Sequence, residues 1–142
     1  MKAILFFFAT CLFISSYANN DSLKVVDLQH KNITKLSEAF DYKTIRTLHL
    51  GNNPIKELPV ELVNAINLQE LSINNAAVFD IEKSIVTLTK LKLHTLSINN
   101  SNLMYLPLEF AQIKRLKQLS VSGNYIRQIP GTIFLTTDLI SL

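Results

Sequence analysis

The feature that most constrains this chain is a spacing of leucine-like residues that returns about every 23 positions. Leu, Ile or Val stand at offsets 1, 4, 6, 11 and 14 of five successive units. The first unit has Leu23, Val26, Leu28, Ile33 and Leu36, and the second Ile45, Leu48, Leu50, Ile55 and Leu58. The third has Leu68, Leu71, Ile73, Val78 and Ile81. Leu93, Leu96, Ile98, Leu103 and Leu106 make the fourth, and Leu116, Leu119, Val121, Ile126 and Ile129 the fifth. Units start at 23, 45, 68, 93 and 116, with a partial sixth at 139, giving periods of 22, 23, 25, 23 and 23. Offsets 4 and 6 are two apart, so both side chains point to one side of an extended segment. Offset 1 enters from the preceding turn, while 11 and 14 cover the core after the strand. A further apolar row, Phe40, Leu62, Ile85, Phe110 and Ile133, falls at offset 18 on the returning arc. One coil is too thin to bury its own apolar side, so neighbours must stack. The expected fold is an α/β-type repeat solenoid with one short strand per coil in a parallel sheet.

On these residues the chain resembles the leucine-rich repeat family, in its class of roughly 23 residues with the pattern LxxLxLxxNxLxxLP. The pattern is cleanest in Ile45–Pro59 and Leu116–Pro130, and the resemblance covers residues 19–142. It implies a short curved horseshoe with the parallel sheet on its concave face, used for non-enzymatic binding. In this family an Asn at offset 9 bonds the backbone of the turn, a task suited to its paired donor and acceptor. Here Asn53 and Asn124 hold that position, but Lys31, Ala76 and Ser101 replace it elsewhere. Serine can do part of that work and alanine none. The third unit also carries two additional residues near Leu91 and Lys92, which predicts local irregularity in the middle of the stack.

The first residues have a different character. Lys2 precedes an uncharged run, Ala3 to Ile14, and then Ser15-Ser16-Tyr17-Ala18 places small residues at −3 and −1 for cleavage after Ala18. A basic start, a short apolar middle and a small-residue exit describe a secretory signal peptide over 1–18. The apolar run is short against the roughly 20 residues of a membrane span. An uncleaved anchor is the rival reading, and it is the membrane contact the chain would then make. Cys11, the sole cysteine, leaves with the signal. The exported chain then has no disulfide, cysteine-type zinc site or thiol nucleophile, and packing alone must hold the fold.

Composition narrows function further. With 48% apolar residues and only three Gly and four Pro in 142, the chain is neither disordered nor collagenous. A formal charge of +3 is too small to argue for nucleic acid. No HExxH, GxSxG or phosphate-cradling Gly loop is present, and His30, His49 and His94 fall on three different rows. No cofactor or metal is expected. The outward rows of the sheet supply the candidate site instead: Asp27, His49, Glu70, Ser72, Thr95, Ser97, Gln118 and Ser120 at offsets 3 and 5. Asn74, Asn75, Asn99 and Asn100 extend it at offsets 7 and 8. Short hydroxyl and amide side chains make a shallow polar trough for a protein or glycan partner; a merely solvated sheet face is the competing reading. Lys114, Arg115 and Lys117, joined loosely by Lys90 and Lys92, form the densest basic cluster. Asn20-Asp21-Ser22, Asn32-Ile33-Thr34 and Asn99-Asn100-Ser101 match glycosylation sequons, which count only in a eukaryotic source.

Neither end of the repeat carries a recognisable cap. Leu139 and Leu142 occupy offsets 1 and 4 of a sixth coil, which predicts an open edge over 137–142. The alternative to a concave-face binder is therefore a truncated or assembly-type subunit that associates through that edge. The leader makes the first testable statement: mass spectrometry of the native protein will find Asn19 at its N-terminus. Recovery of intact Met1 on a membrane-embedded chain would establish the anchor instead.

Overall fold

A computed structural model of the chain describes residues 23–37 and 40–136. The proposed leader at 1–18, the sequon at Asn20 and the sixth-coil residues Leu139 and Leu142 lie outside them. Five strands, β1 (Lys24–Asp27), β2 (Ile45–His49), β3 (Glu70–Ser72), β4 (Thr95–Ser97) and β5 (Gln118–Ser120), form one parallel sheet in sequence order. Each coil supplies one strand, and the sheet lines the concave face of a short curved solenoid. The register follows the repeat. Val26 pairs with Leu48, Leu48 with Leu71, Leu71 with Leu96 and Leu96 with Leu119, so the offset-4 residues stack in one line.

Behind the sheet the leucine rows form one continuous core. Leu48, Leu71, Leu96 and Leu119 are buried, as are Leu50, Ile73 and Ile98 at offset 6. Offset 18 behaves as expected, with Leu62, Ile85, Phe110 and Ile133 buried and Phe40 partly so. An additional inward row, Tyr42, Ala65, Leu88 and Ile113, closes the coil just before the chain climbs to the next strand. Burial grades off at the outer coils. Leu23 is exposed, and Leu28, Ile33, Val121, Ile126 and Ile129 are only partly covered.

Prolines shape the return path. Pro59, Pro107 and Pro130 all stand at offset 15, and each carbonyl accepts the N–H three residues on, from Leu62, Phe110 and Ile133, at 3.1 Å. Their fixed φ opens a tight arc, which runs as 3-10 helix over Val60–Asn64 and Leu108–Gln112 and as the short helix α2 (Ile133–Thr136) in the fifth coil. (We number the ten-residue helix of the third coil α1.) In that third coil Glu82 replaces the proline, and α1 (Ile81–Lys90) forms instead. Asp80 caps it, its carboxylate accepting the N–H of Lys83 at 3.1 Å. Ile81, Ser84, Ile85 and Leu88 repeat at helical spacing on its buried face. An α-helix advances about 1.5 Å per residue, against about 2.0 Å for a 3-10 helix, so the same arc takes more residues. The two additional residues of this unit are thereby absorbed as regular helix rather than as an irregular loop.

The turn after each strand is held across the gap between coils. Asn53 Oδ1 accepts the N–H groups of Lys31 and Ile33 in the preceding coil, both at 3.0 Å. Its Nδ2 lies within donating distance of the carbonyls of Leu28, Leu50 and Gly51, at 2.8, 2.8 and 3.2 Å. Asn124 repeats the arrangement, accepting from Ser101 and Leu103 and donating to Ile98 and Val121. Ser101 does half as much: its hydroxyl accepts the N–H of Ala76 at 3.2 Å but reaches no second amide there. The consequence is a departure from the expected register. Residue 78 is not captured, the chain turns tightly as the N–H of Phe79 bonds Ala76 carbonyl at 2.9 Å, and Phe79 enters the core. Val78, expected inside, is 51% exposed.

Two substitutions test this frame. Leu96→Asp puts a carboxylate between Leu71 and Leu119, and will cost at least about 4 kcal/mol, read as lost solubility or far-UV dichroism. A folded, equally heat-stable variant would refute the stacking register. Asn53→Ala strands buried backbone groups in two coils at once and will cost about 2–4 kcal/mol in denaturant unfolding. An unchanged midpoint would show that the side chain does not bind the coils together.

Candidate functional site

The residues singled out from the sequence all lie along one face of the solenoid, on the strands or at the turns that leave them. Asp27, Glu70 and Gln118 are exposed, while His49, Ser72, Thr95, Ser97 and Ser120 are half-buried between neighbouring strands. Register brings them side by side: Asp27 with His49, His49 with Ser72, Ser72 with Ser97, and Ser97 with Ser120. Glu70 pairs with Thr95 and Thr95 with Gln118, whereas Asp27 and Glu70 remain two strands apart. Thr47, also outward, is nevertheless buried, since it sits between Val25 and Glu70.

Much of the polar content is spent within the face. Asn74 Oδ1 accepts the hydroxyl of Ser97 and the N–H of Asn99 from the next coil, both at 2.8 Å. One coil further on, Asn99 Oδ1 accepts the hydroxyl of Ser120 at 2.9 Å and the N–H of Ser122 at 2.8 Å. Asn99 Nδ2 also donates to Ser97 Oγ at 3.0 Å. This ladder of asparagine to serine runs parallel to the frame of buried Asn53 and half-buried Asn124, on the solvent side of those turns. At the second coil the equivalent position is Gly51, where a Cβ would come within 3.0 Å of Asn74 carbonyl. His49 Nδ1 instead lies 2.9 Å from Ser72 Oγ, and Thr95 Oγ1 lies 3.3 Å from Gln118 Oε1. Asp27 turns its carboxylate back to the N–H of Gln29 at 3.0 Å.

Asn75 and Asn100 answer to backbone geometry. Offset 8 is left-handed in every coil, with φ of 56° at His30, 58° at Asn52, 56° at Asn75, 52° at Asn100 and 67° at Gly123. Asn and Gly are the residues that tolerate this conformation, so the type at offset 8 is set by the turn. A side chain on Gly123 would meet Asn100 Oδ1 at 1.9 Å. The doubled Leu-Ser-Ile-Asn-Asn thus has two separate reasons: the first Asn bridges coils, and the second permits the turn. The sequon at Asn99 is closed by the same contacts, since Ser101 is buried and its hydroxyl donates towards Ile73 and Asn99 carbonyls. Asn32 is exposed.

Chemically, the face offers hydrogen-bond groups on a stiff sheet. Among the described residues no cluster of three or more His, Cys, Asp and Glu has metal-binding geometry. Tyr105, on the descending flank, donates its hydroxyl to Glu82 of the preceding coil. That bond, with slight desolvation and the charges of Glu82 and Asp80, raises its pKa above the usual phenol value. An open hollow of 270 Å³ lies at the first coil beside Asp27, Gln29, His30 and Lys31. A groove of 310 Å³ lies on the opposite side of the molecule, between the 3-10 helix at Val60–Asn64 and α1. No described helix is long and apolar enough to cross a membrane.

No family model matches the chain, and no curated protein does. Among solved structures, a leucine-rich repeat protein of Leptospira interrogans is similar, with a TM-score of 0.70 and 27% identity. The likeness covers 86% of this chain and 31% of that one, so this chain spans about a third of the length of that protein. With one strand per 22–25 residues, a leucine core stacked in register and asparagines locking the outer turns, the chain has the leucine-rich repeat fold of that protein.

Proposed function

We propose that the chain is an exported, non-enzymatic interaction module that presents its concave sheet to a protein partner. Export is supported by the leader-like composition of residues 1–18. The observation that carries the binding role is the division of labour on the face. Ser72, Asn74, Ser97, Asn99 and Ser120 are fixed by contacts within the sheet, while Val25, Glu70 and Gln118 project from it. Val25 is 60% exposed, an apolar side chain held out on a rigid strand. A surface organised before contact loses little conformational entropy when a partner docks.

The face favours a folded protein over a sugar. Its hollow beside Asp27 is open, and none of the outward strand residues is Phe, Tyr or Trp, so it lacks the broad rings on which sugar faces stack. Its size sets the strength. Five strands about 4.8 Å apart, each exposing roughly 15 Å of length, give about 300–400 Å². A stable interface takes about 800 Å² from each partner, so binding through this face alone is transient.

The reading is tested with a photo-crosslinking residue placed at Gln118 on the face or at Val86 on the opposite side, in the presence of extracellular extract. Crosslinked protein is expected from position 118 and not from 86. Glu70→Lys with Val25→Lys will reduce capture about fivefold or more. Equal capture by the variant and the parent protein would remove the concave face as the site.

A further inference from the structure

The flank on which each coil climbs to its next strand is separate from the concave face and carries its own charge pattern. Four stretches form it: 43–46, 66–69, 90–94 and 114–117. They contain Lys43, Arg46, Lys90, Lys92, Lys114, Arg115 and Lys117, seven of the fourteen Lys and Arg residues, and none of the eleven Asp and Glu. All seven are exposed. None has a carboxylate within ion-pair distance among the described residues, whereas Lys83 and Asp80 pair elsewhere, at 3.5 Å. Asp41 borders the strip, its side chain turned to the N–H of Lys43, and Glu70 borders it from the face.

The solenoid aligns these stretches along the stacking axis. Arg46, Gln69, His94 and Lys117 share offset 2, and their backbones are joined coil to coil. Gln69 N–H donates to Arg46 carbonyl at 2.9 Å, His94 to Gln69 at 2.8 Å and Lys117 to His94 at 2.9 Å. Arg46 Nε also donates to Gln69 Oε1 at 3.1 Å. Beside that column Lys92 and Arg115 occupy one offset on adjacent coils, about 4.8 Å apart in the stacking direction. Cations held side by side without counter-charges are unfavourable alone and become favourable when a chain of anions lies across them.

We propose that this flank binds a linear sulfated polysaccharide, laid along the stacking axis from Arg46 to Lys117. The scaffold sets cations at 43–46, 90–92 and 114–117, with the uncharged stretch 66–69 between the first two, so a polymer carrying sulfates along its length can bind at several points. Other polyanions fit less well. The four stretches contain no Phe, Tyr or Trp on which unpaired bases would stack. Their one exposed large apolar side chain is Ile66, too little to enter an anionic membrane. The preference over duplex DNA rests on the proposed export. The surface itself does not depend on the concave face, and its test leaves that face untouched.

Titration of the full chain with heparin at about 0.15 M salt is expected to show binding. Lys114→Gln, Arg115→Gln and Lys117→Gln combined will weaken it about tenfold. Lys31→Gln, Lys56→Gln and Arg127→Gln, the same charge removed from exposed positions on the descending flank, will change it less than about twofold. Lysine-reactive labelling of the unaltered protein gives a second readout independent of any variant's folding: heparin should protect Lys92, Lys114 and Lys117 but not Lys56. The proposal is overturned by absence of binding, by equal weakening in both triple variants, or by protection spread evenly over all lysines. Equal or tighter binding to duplex DNA, or to vesicles rich in phosphatidylserine, would also overturn it.

Discussion

No coil of this protein can be stable alone. Each has one layer of inward leucines and nothing on its own far side to cover them, so apolar burial exists only between coils. Stacking Leu48, Leu71, Leu96 and Leu119 in one line removes each from water, with a side chain of that size contributing about 1.5–3 kcal/mol. The hydrophobic effect has no direction, however, and would accept many slipped arrangements. Direction comes from the asparagines. Asn53 and Asn124 each bond two amides of the coil before and carbonyls on both sides of the gap, and only one register satisfies them. The core supplies the free energy of stacking, and the turn frame selects how the stack is aligned.

The rows of the core were legible because stacking repeats one geometric demand five times, which raises a weak local signal above noise. The rest depended on interactions between coils that a linear reading does not display. Tyr42, Ala65, Leu88 and Ile113 share an inward row, but Tyr42 is one place out of step because its coil has 22 residues. The exchange of Val78 for Phe79 follows from Ser101, which lies more than twenty residues away in sequence and one coil away in space. Helix α1 had signals in the sequence: Asp80 before Ile81, helical spacing of Ile81, Ile85 and Leu88, and no proline at residue 82. The repeat template masked them.

The face residues show the same limit more sharply. Asn74 and Asn99 looked equivalent to Asn75 and Asn100 as exposed amides, yet one pair bridges coils and the other occupies a left-handed backbone position. The column His30, Asn52, Asn75, Asn100 and Gly123 was available as a signal, since Asn and Gly at a fixed offset mark a positive φ. A polar trough read from composition is thus mainly a built surface, in which small side chains satisfy one another. The positions left for contact are the longer, exposed ones at its margins.

The weak rung of the frame lies between the second and third coils. Ala76 has no side-chain oxygen, so nothing corresponding to Asn53 or Asn124 reaches back to the amides of Asn53 and Ile55. The same two coils are stitched on the far side, where Leu58 N–H donates to the buried Ser84 hydroxyl at 3.0 Å. The strands still pair across this gap, and the N–H groups of Asn52 and Asp80 still bond the carbonyls of Asn74 and Lys56, at 2.8 and 2.7 Å. What is missing is the side-chain lock on the turn itself, at one methyl group where the adjacent coils carry an amide and a hydroxyl.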